Sequence, residues 1–250
     1  MQHLNQQLSQ LNLNGCKAAL AHQNQHPEHH RELSFEERLS LLLEQELAAR
    51  QQRKVERLLR QAKFRLNAEL SQLDYRAERN ITSAQVRSLT QGDWLNLNQS
   101  LLLTGATGCG KTYLACALGH YFCRQGHSVY YFRLKALLEK MYLAQADGSY
   151  RKFVTKLAMA KVLILDDWGL EPLTAQQRSD LLELIDARYG LTSTIIASQL
   201  PLDKWYDMIG ESTHADAILD RLVHSGIRLD LKGGSMRKSG ANLTDGDHSS

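Results

Sequence analysis

Apolar residues follow two rhythms along this chain. Between Ser34 and about residue 65, Leu39, Leu42, Leu43, Leu47, Val55, Leu58 and Leu59 recur at helical spacing, and no Gly or Pro intervenes. Ser34 and Glu37 stand three apart at the start, the spacing of a capping box, so the pattern predicts one long helix over about 35–65. From Ser100 onward the rhythm changes. SLLLTG, SVYYFR, KVLILDD and STIIAS are short apolar runs that read as strands, after a turn-rich connection containing TQGDW. Between them, 111–125, 134–158 and 174–189 read as helices, the middle segment as one or two. Strands alternating with helices need crossovers, hence a parallel sheet covered on both faces. The fold class is α/β, with a small helical segment ahead of the sheet.

Residues 1–30 carry neither rhythm and are rich in Gln, Asn and His. HQNQHPEHH reads as a linker; His26, His29 and His30 have no partner cysteines or acidic pair beside them, which favours a solvated loop over a metal site. The last dozen residues, SGANLTDGDHSS, are small and polar and predict disorder over 239–250.

A length of 250 residues admits one full domain and an appendage. Charged residues make up 23% and hydrophobic ones 43%, as in an ordinary globular protein, and no run approaches the roughly 18 apolar residues of a membrane span. The polar N-terminus lacks the basic head and apolar centre of a secretory signal, so the expected compartment is the cytoplasm. Cys16, Cys109, Cys116 and Cys123 form no CxxC pair and read as reduced core thiols. The net charge of +3 decides little, but RQQRKVERLLRQAKFR gathers Arg50, Arg53, Lys54, Arg57, Arg60, Lys63 and Arg65 against the single Glu56. That is a local cationic surface.

The chemistry is concentrated after the first strand. Gly105-Ala106-Thr107-Gly108-Cys109-Gly110-Lys111-Thr112 fits GxxxxGK[ST] between a predicted strand and a predicted helix, the setting a P-loop requires. Its glycines let successive N–H groups face a phosphate, and the helix start adds partial positive charge. Lys111 is placed for the β- and γ-phosphates and Thr112 for Mg²⁺; Tyr113, next in line, completes the predicted nucleotide-binding segment. The spacing is GxxGxGKT rather than GxGxxG, which favours a nucleoside triphosphate over NAD. Further on, VLILDD ends a buried strand with Asp166, a candidate for the Mg²⁺ shell, and Asp167, a candidate to orient or deprotonate water. Late in the chain, Arg221 of ADAILDRLVH is placed to reach a neighbouring subunit's γ-phosphate.

The combination GATGCGKTYLA, VLILDDWG, ASQLPLDKW, ADAILDRLVH and GGSMRK resembles the IstB family, AAA+ helper ATPases of insertion-sequence transposition related to the DnaC helicase loaders. The resemblance covers roughly 35–238. It implies a P-loop AAA+ core and an ATP- and Mg²⁺-dependent homo-oligomer that binds double-stranded DNA and recruits or stimulates a transposase. It also implies that Gln199 senses the γ-phosphate, that Arg221 is an arginine finger, and that Arg237 is a late nucleotide-contacting arginine. The expected organisation is a helical N-terminal domain over 1–70 for assembly or partner binding, an ATPase domain over 71–238 and the tail. Two departures bear on mechanism. Asp167 stands where most AAA+ enzymes carry Glu, so a slow ATPase is expected. Only 13 residues follow Arg237, so the usual helical lid domain is not expected.

Two segments could meet DNA phosphates: Arg50, Arg53, Lys54, Arg57 and Arg60 on the long helix, and Lys135, Lys140, Arg151, Lys152 and Lys156 in the helical pair between the second and third core strands. Nothing in the chain resembles a base-reading motif. The connector LDYRAERN, 73–80, is a candidate for contacting adenine. A helicase loader and a nucleotide switch with negligible hydrolysis are the alternative functions; a small-molecule kinase stands further off.

Overall fold

The computed structural model describes residues 2–224 and 226–234, and the predicted tail lies outside them. The chain forms two compact units, one ending at Leu58 and the other beginning at Leu59.

The first unit holds α1 (Gln2–Gln10), α2 (Asn14–Gln25) and most of α3 (Phe35–Ala62). The capping pair is in place: Ser34 N donates to Glu37 Oε2 at 2.7 Å and Glu37 N to Ser34 Oγ at 3.2 Å. Two helices precede α3 where the polar composition gave no helical rhythm, and α1 buries none of its residues. The stretch read as a linker closes α2 and then forms a 3-10 turn at Pro27–His30, opened by Pro27, whose fixed φ suits a first turn. There His26, Glu28 and His29 bring their donor atoms within 4.8 Å of one another. Glu46 of α3 caps α2: its carboxylate accepts from Gly15 N at 2.6 Å and Cys16 N at 3.3 Å, two donors that the helix start leaves unpaired.

In the second unit α4 (Ser83–Gln91) and α5 (Asp93–Asn96) lead into β1 (Leu101–Thr104), α6 (Lys111–Arg124) and β2 (Val129–Arg133). Then come α7 (Leu134–Ala146), α8 (Tyr150–Ala158), β3 (Val162–Trp168), α9 (Ala175–Arg188) and β4 (Ser193–Ser198). Finally α10 (Trp205–Ile209) and α11 (Ser212–Val223) precede β5 (Ile227–Asp230). All strand pairings are parallel, in the order β2-β3-β4-β1-β5. β1 and β4 are buried along their whole length, as a central sheet covered on both faces requires. The fifth strand was not among the predicted ones, and only Leu229 of its four residues is buried.

Among the described residues Arg188 is the most buried cation of the second unit. Its guanidinium donates to the carbonyls of Leu157, Ala160 and Ser193 and to Thr194 Oγ1, tying the end of α8 to the start of β4. Burial alone pulls its pKa down to about 9. All four cysteines are free and buried, as expected of core thiols. The connector after α3 lies on α6, where Phe64 stacks on His120 with centroids 4.3 Å apart. Gly119 makes this approach possible, because a Cβ there would meet Phe64 Cε1 at 2.4 Å.

Candidate functional site

The carboxyl ends of β1, β3 and β4 lie side by side, so the segments that follow them meet at one edge of the sheet, where open α/β sheets collect ligands. A cleft of about 330 Å³ opens there. Thr107, Gly108, Gly110, Lys111, Thr112 and Tyr113 line one wall, Asp166, Asp167, Ala197 and Gln199 another, and Leu66 the rim.

The loop after β1 curls because Gly105, Gly108 and Gly110 take positive φ values of 136°, 83° and 103°. At Gly105 the curl also brings the backbone against the end of β5: a Cβ would lie 2.0 Å from the Leu231 carbonyl oxygen. Lys111, only 7% exposed, folds back over the loop and donates to Gly105 O at 2.7 Å and Ala106 O at 2.8 Å. Cys109 is buried at the loop's base, and Ala106 and Thr107 are exposed at its top.

Asp166 is 1% exposed. Thr112 Oγ1 donates to its two oxygens at 3.1 and 2.9 Å, and Tyr131 Oη to Oδ2 at 2.6 Å. Burial, then the bond to the Asp166 carboxylate, push the Tyr131 phenol far above its ordinary range, so it remains a donor at every working pH. The ladder between β3 and β4 slips between Leu165 and Trp168, and Asp167 takes a φ of 56° in that bulge. Bulges re-aim side chains, and this one presents the Asp167 carboxylate at the cleft. Arg133 Nε lies 3.5 Å and Arg65 Nη1 3.7 Å from its Oδ2. Tyr131 and Arg133 were not singled out by the sequence, because only the pairing of β2 with β3 brings them beside the acids, and Arg65 was read only as part of a cationic run and not as a neighbour of Asp167.

Gln199 reaches the cleft, where Thr107 Oγ1 donates to its Oε1 at 2.5 Å. Its neighbour Ser198 does not, being buried with its hydroxyl on Trp168 O. Arg221 is not among the lining residues. Its Nε donates to Asp186 at 2.7 Å, its Nη1 to Ala217 O at 2.8 Å, and it sits 5.9 Å from the Tyr189 ring centre. Arg237 lies outside the described residues. The connector at 73–80 packs behind the loop: Arg79 donates to Cys109 O at 3.3 Å and to Asp74 at 2.9 Å. Leu73, Asp74, Arg79, Ile81, Tyr113 and Leu231 border a small second hollow of about 100 Å³ there.

Of the cations suggested for DNA, Arg50 and Arg53 both bind Glu46, at 2.8 and 3.2 Å, and Lys135 binds Glu171 at 2.9 Å. Lys54, Arg57 and Arg60 are exposed on α3, as are Lys140 on α7 and Arg151, Lys152 and Lys156 on α8.

These residues fit a magnesium–nucleotide. A curled loop of main-chain amides, a lysine resting on replaceable carbonyls and a hydroxyl–carboxylate pair of hard oxygen donors are what a triphosphate and its cation require.

Residues 6–243 match the family of IstB-like ATP binding proteins. The insertion-sequence ATP-binding protein y4pL of Sinorhizobium fredii is 49% identical over 208 residues, covering 83% of this chain and 85% of its own. The IS21 ATP-binding protein of Pseudomonas aeruginosa is 34% identical over 207 residues, 83% of this chain and 78% of its own. Among solved structures, the DnaC helicase loader aligns with a TM-score of 0.54 at 26% identity, over 68% of this chain and 100% of that one. AMPPCP-bound DnaA from Aquifex aeolicus aligns with a TM-score of 0.59 at 18% identity, over 75% of this chain and 58% of that one, a likeness of fold alone. A parallel five-stranded sheet with a P-loop at its carboxyl edge, in a chain so related, is an AAA+ core, and the chain belongs to the IstB-like ATP-binding proteins of insertion sequences.

Proposed function

We propose that this protein is a slow, Mg²⁺-dependent ATPase whose ATP-bound subunits assemble on double-stranded DNA in the cytoplasm and engage the transposase of the same insertion sequence. The observation that carries this reading is the Thr112–Asp166 pair closing the P-loop cleft, with Asp167 beside it on a bulge.

A bound magnesium–ATP complex would supply an electrophilic third phosphate whose charge is partly screened by the cation. Lys111 would exchange its two carbonyl acceptors for phosphate oxygens. Thr112 and Asp166 would hold the cation, with Tyr131 fixing the carboxylate by donating to Oδ2. Asp167 would orient the attacking water and take its proton. Gln199, across the cleft from the loop, would sense the third phosphate, and the hollow against the connector 73–80 would take the adenine. Arg221 would act on the site of an adjoining subunit, since it is not among the residues lining its own cleft. Residues 1–70 would serve assembly or partner binding and 71–238 the ATPase, with Arg237 contacting nucleotide.

Comparing steady-state ATP turnover of the wild type and Asp167→Asn, with and without duplex DNA, tests this. General-base loss predicts a fall of about 10²-fold or more at unchanged ATP affinity. No DNA-stimulated turnover together with no loss on substitution would favour a nucleotide switch with negligible hydrolysis, whereas equal and appreciable turnover would remove Asp167 as the base. Helicase loading is the second reading, favoured by the alignment with DnaC. Capture with a transposase but not with a replicative helicase from the same cell separates the two.

A further inference from the structure

The turn between α2 and α3 gathers imidazoles around one carboxylate. His26 Nδ1 lies 3.6 Å and His29 Nε2 4.0 Å from the same atom, Glu28 Oε1, and the three donor atoms fall within 4.8 Å of one another. A tetrahedral zinc ion with bonds of about 2.0–2.1 Å sets its ligands about 3.3 Å apart, so small side-chain rotations bring these three onto one ion. The 3-10 turn at Pro27–His30 makes the cluster, since three residues per turn carry His29 back over His26 and their rings stack with centroids 5.7 Å apart. In the sequence the stretch reads as a solvated loop because Glu28 stands as a lone acid without cysteines; in the fold, imidazoles surround it.

Two further observations point to a guest. Both ring nitrogens of His30 are shut off from solvent and have no hydrogen-bond partner. Its ring packs edge-on against His22, centroids 6.3 Å apart, and His22 lies 4.8 Å from His26, so His30 belongs to the same cluster. An imidazole so placed has lost its bonds to water without replacing them, a cost that a metal bond removes. The first unit also has little core: among its described residues the only buried apolar side chains are Cys16 and Leu58, and α1 buries nothing. Polar links hold α2 to α3 instead, Gln23 Nε2 donating to Arg38 O and Arg38 Nε to Gln23 Oε1, each at 3.2 Å. A unit of this size with so little buried needs a staple, and a structural metal is one.

We propose that His26, Glu28, His29 and His30 bind a zinc ion that fastens the end of α2 to the start of α3. Three imidazole nitrogens and one carboxylate oxygen suit zinc, whereas magnesium takes hard oxygen donors, so this site is chemically separate from the cation position at Thr112 and Asp166. Four protein ligands leave no open position for a reacting water, and the role is structural.

Calorimetric titration of zinc chloride into the untagged full-length protein, in excess Mg²⁺, tests the site. One equivalent should bind with a Kd on the order of 1 μM or tighter. The His26→Ala/His29→Ala double variant should lose at least about 100-fold in affinity, and Glu28→Gln and His30→Ala about tenfold each. No binding by the wild type, or an equivalent retained by the double variant, overturns the site; unchanged affinity in His30→Ala overturns the fourth ligand. Limited proteolysis reads the structural role separately. With zinc at about 100 times its Kd, cleavage within 1–58 should slow by about 100-fold in the wild type and not in the double variant. Bound zinc without protection overturns the staple. None of the four ligands lines the P-loop cleft, so every variant should bind a non-hydrolysable ATP analogue as the wild type does, which separates loss of zinc from loss of fold.

Discussion

Lys111 rests on the carbonyls of Gly105 and Ala106, acceptors that a phosphate would displace without leaving the ammonium unpaired. A charge-assisted bond of this kind contributes about 2 kcal/mol, so Lys111→Ala should weaken binding of a non-hydrolysable ATP analogue by roughly 30-fold in calorimetry. Unchanged affinity would remove the loop from the site. The thiols offer a check on packing. Burial pushes Cys116 up to about 11 and Cys123 up to about 12. Desolvation penalises the thiolate, so at pH 8 its fraction is on the order of one in a thousand or less, growing about tenfold for each further pH unit. A thiol reagent should therefore spare both until the protein unfolds; labelling within minutes at pH 8 would contradict the core described above. Lys111, Thr112 and Asp166 were legible because their chemistry is written in local spacing. Tyr131 and Arg133 were not, because their meaning depends on which strand lies beside β3, and Arg65 was legible only as one charge of a basic run, since its place beside Asp167 depends on where the connector after α3 lies.

The connector between α3 and β1 has more to do than its turn-rich sequence suggests. Asp74 clamps Arg79, which holds the Cys109 carbonyl at the base of the loop. The Arg76 guanidinium and main-chain amide hold the Asp74 carboxyl down at about 2. Its contribution is therefore complete above the ordinary aspartate value of about 3.9 and is lost only as pH falls through about 2. Asp74→Asn should weaken nucleotide binding three- to tenfold, by the same factor at pH 6 and pH 8; a pH-dependent factor would mean another group sets the clamp. At the other end of the connector, Gly119→Val would drive Phe64 off α6 and cost about 1–3 kcal/mol in denaturant unfolding. The four strands predicted from apolar runs are present, as are the helices between them, since a covered parallel sheet imposes that alternation. β5 escaped notice because a short edge strand with one buried residue leaves little pattern, and α1 because a helix that buries nothing shows no stripe.

For the assembled molecule, the fold class and the family were legible in the sequence, while charge distribution alone could not show which cations already have a carboxylate partner. Arg50, Arg53 and Lys135 are each engaged by a carboxylate, which shifts the expected DNA contacts towards Lys140, Lys156 and their neighbours. Phosphate contacts release counterions, so duplex affinity should fall on the order of 10³-fold between about 50 and 200 mM salt if six phosphates are held. A flat salt response would point to a partner other than DNA. An arginine acting between subunits makes a sharper prediction: Arg221→Ala and Lys111→Ala proteins, each inactive alone, should recover turnover when mixed, because one supplies an intact cleft and the other an intact arginine. No recovery would place Arg221 in a structural role beside Asp186.

The most direct test is the mass of the particle in solution. Light scattering on the wild type with duplex DNA, ATP and Mg²⁺ together should report a large assembly that disappears when ATP is withheld and never forms with Lys111→Ala. A monomer under every condition, or equal assembly by the variant, would contradict the claim that nucleotide gripped by the P-loop joins the subunits.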